Sequence, residues 1–141
     1  MRFELFEHGA DVGVRGFGGI PAEAFEGAAL ALFSLLAEAR AVRSKVEVQV
    51  RAQAPGLEEL LVAFLNELVS VSDVRQLVFG DVQVEIAGGP AGPYRLTALA
   101  RGEPFDPRRH DFTVLPKGAT FTELRVAREG SRWVAQCVVD V

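Results

Sequence analysis

Two stretches in the first half of the chain carry apolar residues at helical spacing, and from residue 77 onward the apolar residues alternate instead. That change of period most constrains the fold. Phe25, Ala28 or Ala29, Leu32 and Leu36 recur over 21–39, behind a Pro21 whose fixed φ and missing N–H suit the first helical position. Leu57, Leu60, Leu61, Phe64, Leu68 and Val71 form one stripe over 57–71, with Glu58 and Glu59 in the first turn, where the helix dipole favours them. Period-two runs occupy 2–7, 11–17 and 46–51, then 77–87, 94–102, 121–129 and 132–141. The predicted order is ββαβαββββ. It implies an α+β fold, a single domain over 1–141, with both helices packed on a largely antiparallel sheet.

Composition closes off several function classes. Of 141 residues, 49% are apolar and 24% charged, the balance of a folded globular chain with enough length for a core. No apolar run approaches the ~20 residues a membrane helix needs, and the start lacks the apolar region of a secretory signal. The single cysteine, Cys137, excludes an internal disulfide and any multi-cysteine metal site. The expectation is a cytoplasmic protein with no membrane partner. A net charge of −4 with no basic block argues against direct, phosphate-driven nucleic-acid binding. Lys45 and Lys117 are the only lysines in a chain otherwise supplied with arginine, and the two cations are not interchangeable where geometry matters.

The chemistry-bearing residues gather at the two ends of the chain. Glu7-His8-Gly9-Ala10-Asp11 places two carboxylates and a histidine in a hairpin turn between apolar segments. Turns also recruit Gly and Asp for backbone reasons alone. Asp140 closes an apolar strand and shares a face with Val134, Gln136 and Val138, a face expected to be largely inward. A buried carboxylate needs a partner or a cation. The alternative is a frayed end with Asp140 solvated. Val141 adds a backbone carbonyl and terminal oxygens. Asp11 and Asp140 with those oxygens make the kind of all-oxygen set that calcium or magnesium takes, provided the two strands are neighbours, which periodicity leaves open. Lys117, between a proline-rich loop and a strand, suits a phosphate or an acidic partner group, or is a plain loop lysine. The loop 103–110 reads as a surface connection, and Cys137 as core. No nucleophile–base–orienter set and no HxxxH pair can be assembled, so no catalytic residue is assigned.

Several stretches together resemble the archease family. His8-Gly9-Ala10-Asp11-Val12-Gly13-Val14 is similar to its HTAD-[IV]-G-[IV] opening. Arg101-Gly102-Glu103-Pro104-Phe105-Asp106-Pro107 with His110 matches its late loop, Lys117-Gly118-Ala119-Thr120-Phe121 its K-[AG]-x-T-[YF], and Trp133 to Val141 its ending. Ala22-Glu23-Ala24-Phe25 and Leu65-Asn66-Glu67-Leu68 match in between, so the likeness spans nearly the whole chain. Three positions depart: Gly9 for a usual Thr, Thr122 for a frequent His, and Gly19 for a common Asp.

The resemblance implies an accessory factor, not itself an enzyme, for an RtcB-type tRNA-splicing RNA ligase. It would promote guanylylation of the ligase by GTP and multiple turnover, meeting tRNA or other RNA only through the ligase. It further implies a divalent metal at Asp11, Asp140 and Val141: calcium, with magnesium or manganese as alternatives. His8 would stand beside the ligands, and Lys117 would act toward the ligase. Two other readings compete. One is a stand-alone metal-dependent hydrolase of nucleotides or phosphoesters, for which His8 is the available base. The other is a chaperone-like modulator of RNA-modifying enzymes.

Overall fold

A computed structural model describes residues 2–141; Met1, where the expected 1–141 unit begins, lies outside them. Strands β1 (Phe3–His8) and β2 (Asp11–Gly18) form an antiparallel hairpin, in register from Phe3 opposite Gly16 to His8 opposite Asp11. The two-residue connection is Gly9-Ala10. Gly9 has φ +59 and Ala10 does not share the positive sign, the arrangement of a type II′ turn with glycine first.

Helix α1 (Pro21–Phe33) starts at the expected proline but stops well short of residue 39. Ser34 Oγ bonds back to the Ala31 carbonyl at 2.6 Å, and the next amides close three-residue turns, Leu35 on Leu32 and Leu36 on Phe33. The chain stays buried through Ala37, so the apolar period outlasts the helix that it suggests. A short 3-10 turn (Ala39–Ala41) leads to β3 (Val46–Ala54). Helix α2 (Leu57–Arg75) runs a turn longer than the stripe predicts and ends on Gln76 in the left-handed region, φ 53.

Strands β4 (Leu77–Gly88) and β5 (Tyr94–Pro104) form the next hairpin, and β6 (Gly118–Ala119), β7 (Arg125–Glu129) and β8 (Arg132–Asp140) complete the chain. The fold is α+β, as expected, with every strand pair antiparallel and the strands divided between two sheets. One has the order β1-β2-β8, with β6 and β7 both pairing along the far edge of β8; the other has the order β3-β5-β4. The expected strand 121–129 is shorter than its pattern. Residues 120–124 bulge between β6 and β7, because Glu123 takes φ 55 and Thr120 Oγ1 bonds the Val138 carbonyl at 2.9 Å.

Helix α1 joins the two sheets, touching β2 and β8 of one and β4 of the other, while α2 covers β3. One apolar cluster runs through both helices and both sheets. Phe25 of α1 and Phe64 of α2 stack at 6.1 Å, worth ~0.5–1.5 kcal/mol beyond their burial. Truncating fully buried Phe64 to Ala should cost about 3–5 kcal/mol. Beneath α1 there is no side chain to spare: a Cβ on Gly27 would come within 2.9 Å of the Gly16 Cα and also strike the Arg2 carbonyl. Helix and strand therefore meet main chain to main chain. Among the described residues no helix is long and apolar enough to cross a membrane.

Candidate functional site

The ladder that ends β2 and β8 assembles the two chain ends. Val12 lies opposite Val139, so the next step sets Asp11 across from Asp140. His8 is opposite Asp11 in β1, and Gly118 is opposite Asp140 in β6. Residues in one such row project to the same face of a sheet. Two bonds donated by main-chain amides tighten the row. Val141 donates its N–H to Asp11 Oδ1 at 3.3 Å, and Lys117 donates its N–H to the Asp140 carbonyl at 2.7 Å. The neighbourhood of the two strands, open from periodicity alone, is thus settled. Asp11, Asp140, Val141, His8 and Lys117 lie at one end of one sheet.

Asp140 is not partly buried, as expected, but exposed. It keeps the predicted parity with Val134, Gln136 and Val138. The main core, however, lies on the other side of β8, where Ala135, Cys137 and Val139 join the central cluster. Asp11 is half-buried, while His8 and Lys117 are exposed. The Asp11 carboxylate is consequently the anchored member of the set and Asp140 the solvent-facing one.

Among the described residues no three His, Cys, Asp or Glu side chains converge as a ready metal cluster. What Asp11, Asp140 and Val141 offer is two carboxylates and main-chain oxygens. The Asp11 carboxylate is oriented through one oxygen by the Val141 N–H, which leaves the other free. An oxygen-only set of this kind fits a hard divalent cation and not one that prefers thiolate or imidazole.

Asn66 on α2 is a positioning residue that the sequence marks only as part of the Leu65-Asn66-Glu67-Leu68 match, with no role attached. Its amide nitrogen bonds the Ala119 carbonyl at 3.2 Å and its Oδ1 accepts the Ala119 N–H at 2.8 Å. This two-way clasp holds β6, and with it Lys117 and Gly118, alongside Asp140.

The loop 103–110 is more than the surface connection that its composition suggests. Glu103 and His110 are its buried members, 3% and 1% exposed. Glu103 Oε2 accepts the Arg43 N–H at 2.8 Å, the Arg109 guanidinium, and His110 Nε2 at 3.1 Å. His110 Nδ1 in turn accepts the Asp106 N–H at 3.0 Å, which places the ring hydrogen on Nε2, facing Glu103. Burial works to raise the Glu103 carboxyl, but the Arg43 amide, His110 and Arg109 outweigh it and hold it at about 2, below its ordinary 4.5. The His110 ring stacks on Phe105 at 5.7 Å.

The turn geometry also accounts for one departure from the family pattern. Gly9 sits at φ +59 with open space around it, so a β-branched Thr there would meet backbone strain of ~1–2 kcal/mol and no steric clash.

Comparison with known proteins agrees with the resemblance. Residues 3–141 match the family model described as the Archease protein family (MTH1598/TM1083). "Protein archease" of Pyrococcus furiosus is 40% identical over 141 residues, covering 99% of each chain, and that of Methanopyrus kandleri is 36% identical, covering 100% of each. The solution structure of Methanobacterium thermoautotrophicum protein 1598 superposes with a TM-score of 0.81 at 26% identity, covering 99% of this chain and 98% of that one. A Thermotoga maritima crystal structure described as "an archease, possible chaperone" gives 0.57 at 16% identity, covering 100% and 98%, a likeness of fold. The chain belongs to the archease family.

Proposed function

We propose that this chain is an accessory factor of an RtcB-type RNA ligase, promoting the ligase's guanylylation by GTP and its repeated turnover without catalysis of its own. The observation that supports the reading is the contact of the two chain ends, with Asp11 held by the Val141 N–H beside an exposed Asp140. Asp11, Asp140 and the main-chain oxygens of Val141 hold a divalent cation in this reading, calcium first, with magnesium or manganese as alternatives. When bound, such an ion supplies charge neutralisation at phosphate oxygens. Asp11 provides the fixed ligand, and Asp140 faces outward, where a partner can approach. Lys117, fastened through its own N–H to Asp140, offers an ammonium to a phosphate or an acidic group on the ligase. His8 flanks Asp11 on the neighbouring strand. The net charge of −4 fits a protein that meets RNA, tRNA included, through the ligase in the cytoplasm.

The test is guanylylation of purified ligase with and without this chain across a metal titration. Acceleration is expected from the wild type and not from the Asp11→Ala/Asp140→Ala double variant. Full acceleration by the double variant would sink the metal role. Turnover of nucleotide without ligase would favour the stand-alone hydrolase, with exposed His8 as its base.

A chaperone-like modulator is a second reading. It is favoured by the apolar side chains of Phe112 and Leu115, 44% and 54% exposed in one segment, and by the description of the Thermotoga relative. It predicts activation that is indifferent to metal.

A further inference from the structure

The C-terminal half of α2 and residues 105–117 flank a groove. Its deep end is a recess of about 100 Å³, lined by Phe33, Leu36, Leu77 and Phe105. It opens past Val69, Asp73, Leu115 and Pro116 into a trough of about 430 Å³ that ends at Asn66 and Lys117. An engineered apolar cavity of about 150 Å³ takes a benzene ring, so this recess suits one aliphatic side chain. Two unlike charges line it, Asp73 where the recess meets the trough and Lys117 at the trough's end. Neither Asp73 nor Lys117 forms an ion pair among the described residues. Leu115, at the rim, is a large apolar side chain left 54% exposed.

We infer that this groove docks a segment of the ligase itself, carrying an aliphatic side chain for the recess, a basic residue against Asp73 and an acidic residue against Lys117. The inference rests on the ligase reading above. Two observations select this occupant. The groove ends beside the proposed metal site, because Lys117 closes the trough and its N–H lies on the Asp140 carbonyl at 2.7 Å. A partner acting at Asp140 therefore already stands at the groove's open end. The spacing of opposite charges along an apolar floor also selects a polar-edged peptide segment of one orientation, since like charges placed opposite would be repelled. A buried apolar anchor with charged flanks is the pattern that concentrates binding energy at an interface.

The experiment measures binding of purified ligase to the wild type, to Leu115→Arg and to Asp73→Lys, alongside calcium binding and thermal melting of each. Both positions are exposed, so both variants should melt and bind calcium as the wild type does. Each should weaken ligase binding by about tenfold or more. Ligase affinity within about threefold of wild type for both variants overturns the groove and leaves the ligase reading in place. A wild type that does not bind the ligase overturns both. Sedimentation of the chain alone is the last arm: self-association abolished by Leu115→Arg makes a second copy the occupant and overturns the assignment to the ligase.

Discussion

Val141 donates its main-chain N–H to the carboxylate of Asp11 at 3.3 Å, across 130 positions of sequence. The bond uses the backbone of one residue to aim the side chain of the other. A carboxylate aimed in this way loses little further freedom when it takes a ligand, and preorganisation of this sort improves binding by reducing its entropic cost.

In the proposed metal site, Asp140 is the position that lets binding be tested apart from folding. Its side chain is exposed and takes no part in the core, so Asp140→Ala should leave unfolding free energy within about 0.5 kcal/mol of the wild type. Saturating calcium should raise the melting temperature of the wild type through linkage and fail to raise that of the variant. Paired thermal melts with calcium and with chelator check this. Equal calcium shifts in the two proteins would remove Asp140 from the ligand set.

Asn66→Ala should loosen β6 locally. The two bonds to Ala119 are lost, for a global cost of about 1 kcal/mol. The sharper readout is hydrogen exchange. The Ala119 amide, now without its acceptor, should exchange much faster, while amides of β2 and β8 keep their protection. Unchanged protection at Ala119 would mean that pairing with β8 holds β6 unaided.

Glu103 gives the fold an acid limit. Its carboxyl titrates at about 2 when folded against an ordinary 4.5. A depressed carboxylate contributes stability that is fully present above 4.5 and is lost as pH falls from there toward 2. Urea titrations of the wild type should therefore show unfolding free energy falling steeply across that window. Glu103→Ala should be destabilised by about 3 kcal/mol at neutral pH, because His110 and Arg109 lose their shared partner. It should also show a shallower acid slope. A variant with the wild-type slope would place the acid sensitivity elsewhere.

Cys137 should be inert in the folded protein. Burial pushes its thiol up to about 12, a rise that the Thr120 backbone contact only partly opposes. Iodoacetamide at pH 8 should leave it unmodified for as long as the chain stays folded and label it once denaturant is added. Mass spectrometry distinguishes the two states, and ready labelling of the native protein would contradict the burial.

The two helices, the sequence of elements along the chain apart from the short β6, and the α+β class were legible because each rests on local periodicity. The limits of that signal appear at particular residues. Residues 134–139 are apolar at all but Gln136, and Val134, Ala135, Cys137, Val138 and Val139 are all buried. A strand covered on both sides has parity but no marked face, so the side taken by Asp140 was not readable. The adjacency of β2 and β8 is a pairing between distant segments, and no local pattern encodes a neighbour. The bulge at 120–124 hides inside an apparent strand because a side-chain bond from Thr120 sets it. The Glu103–His110 pair looked like loop chemistry, since its partners Arg43, Asp106 and Arg109 declare themselves only once the chain has folded.

The contact of Gly27 with Gly16 has a mechanical meaning. Between most helices and strands, side chains act as a compliant layer that takes up small displacements. Where α1 crosses β2 at Gly16 that layer is missing, so the strand there packs directly on the backbone of a helix whose Phe25, Ala28 and Leu32 are fully buried. The base of the hairpin, where Gly16 lies opposite Phe3, is accordingly fastened to the core through bare backbone, and what give the hairpin has lies beyond it, toward the exposed tip at Glu7 to Ala10.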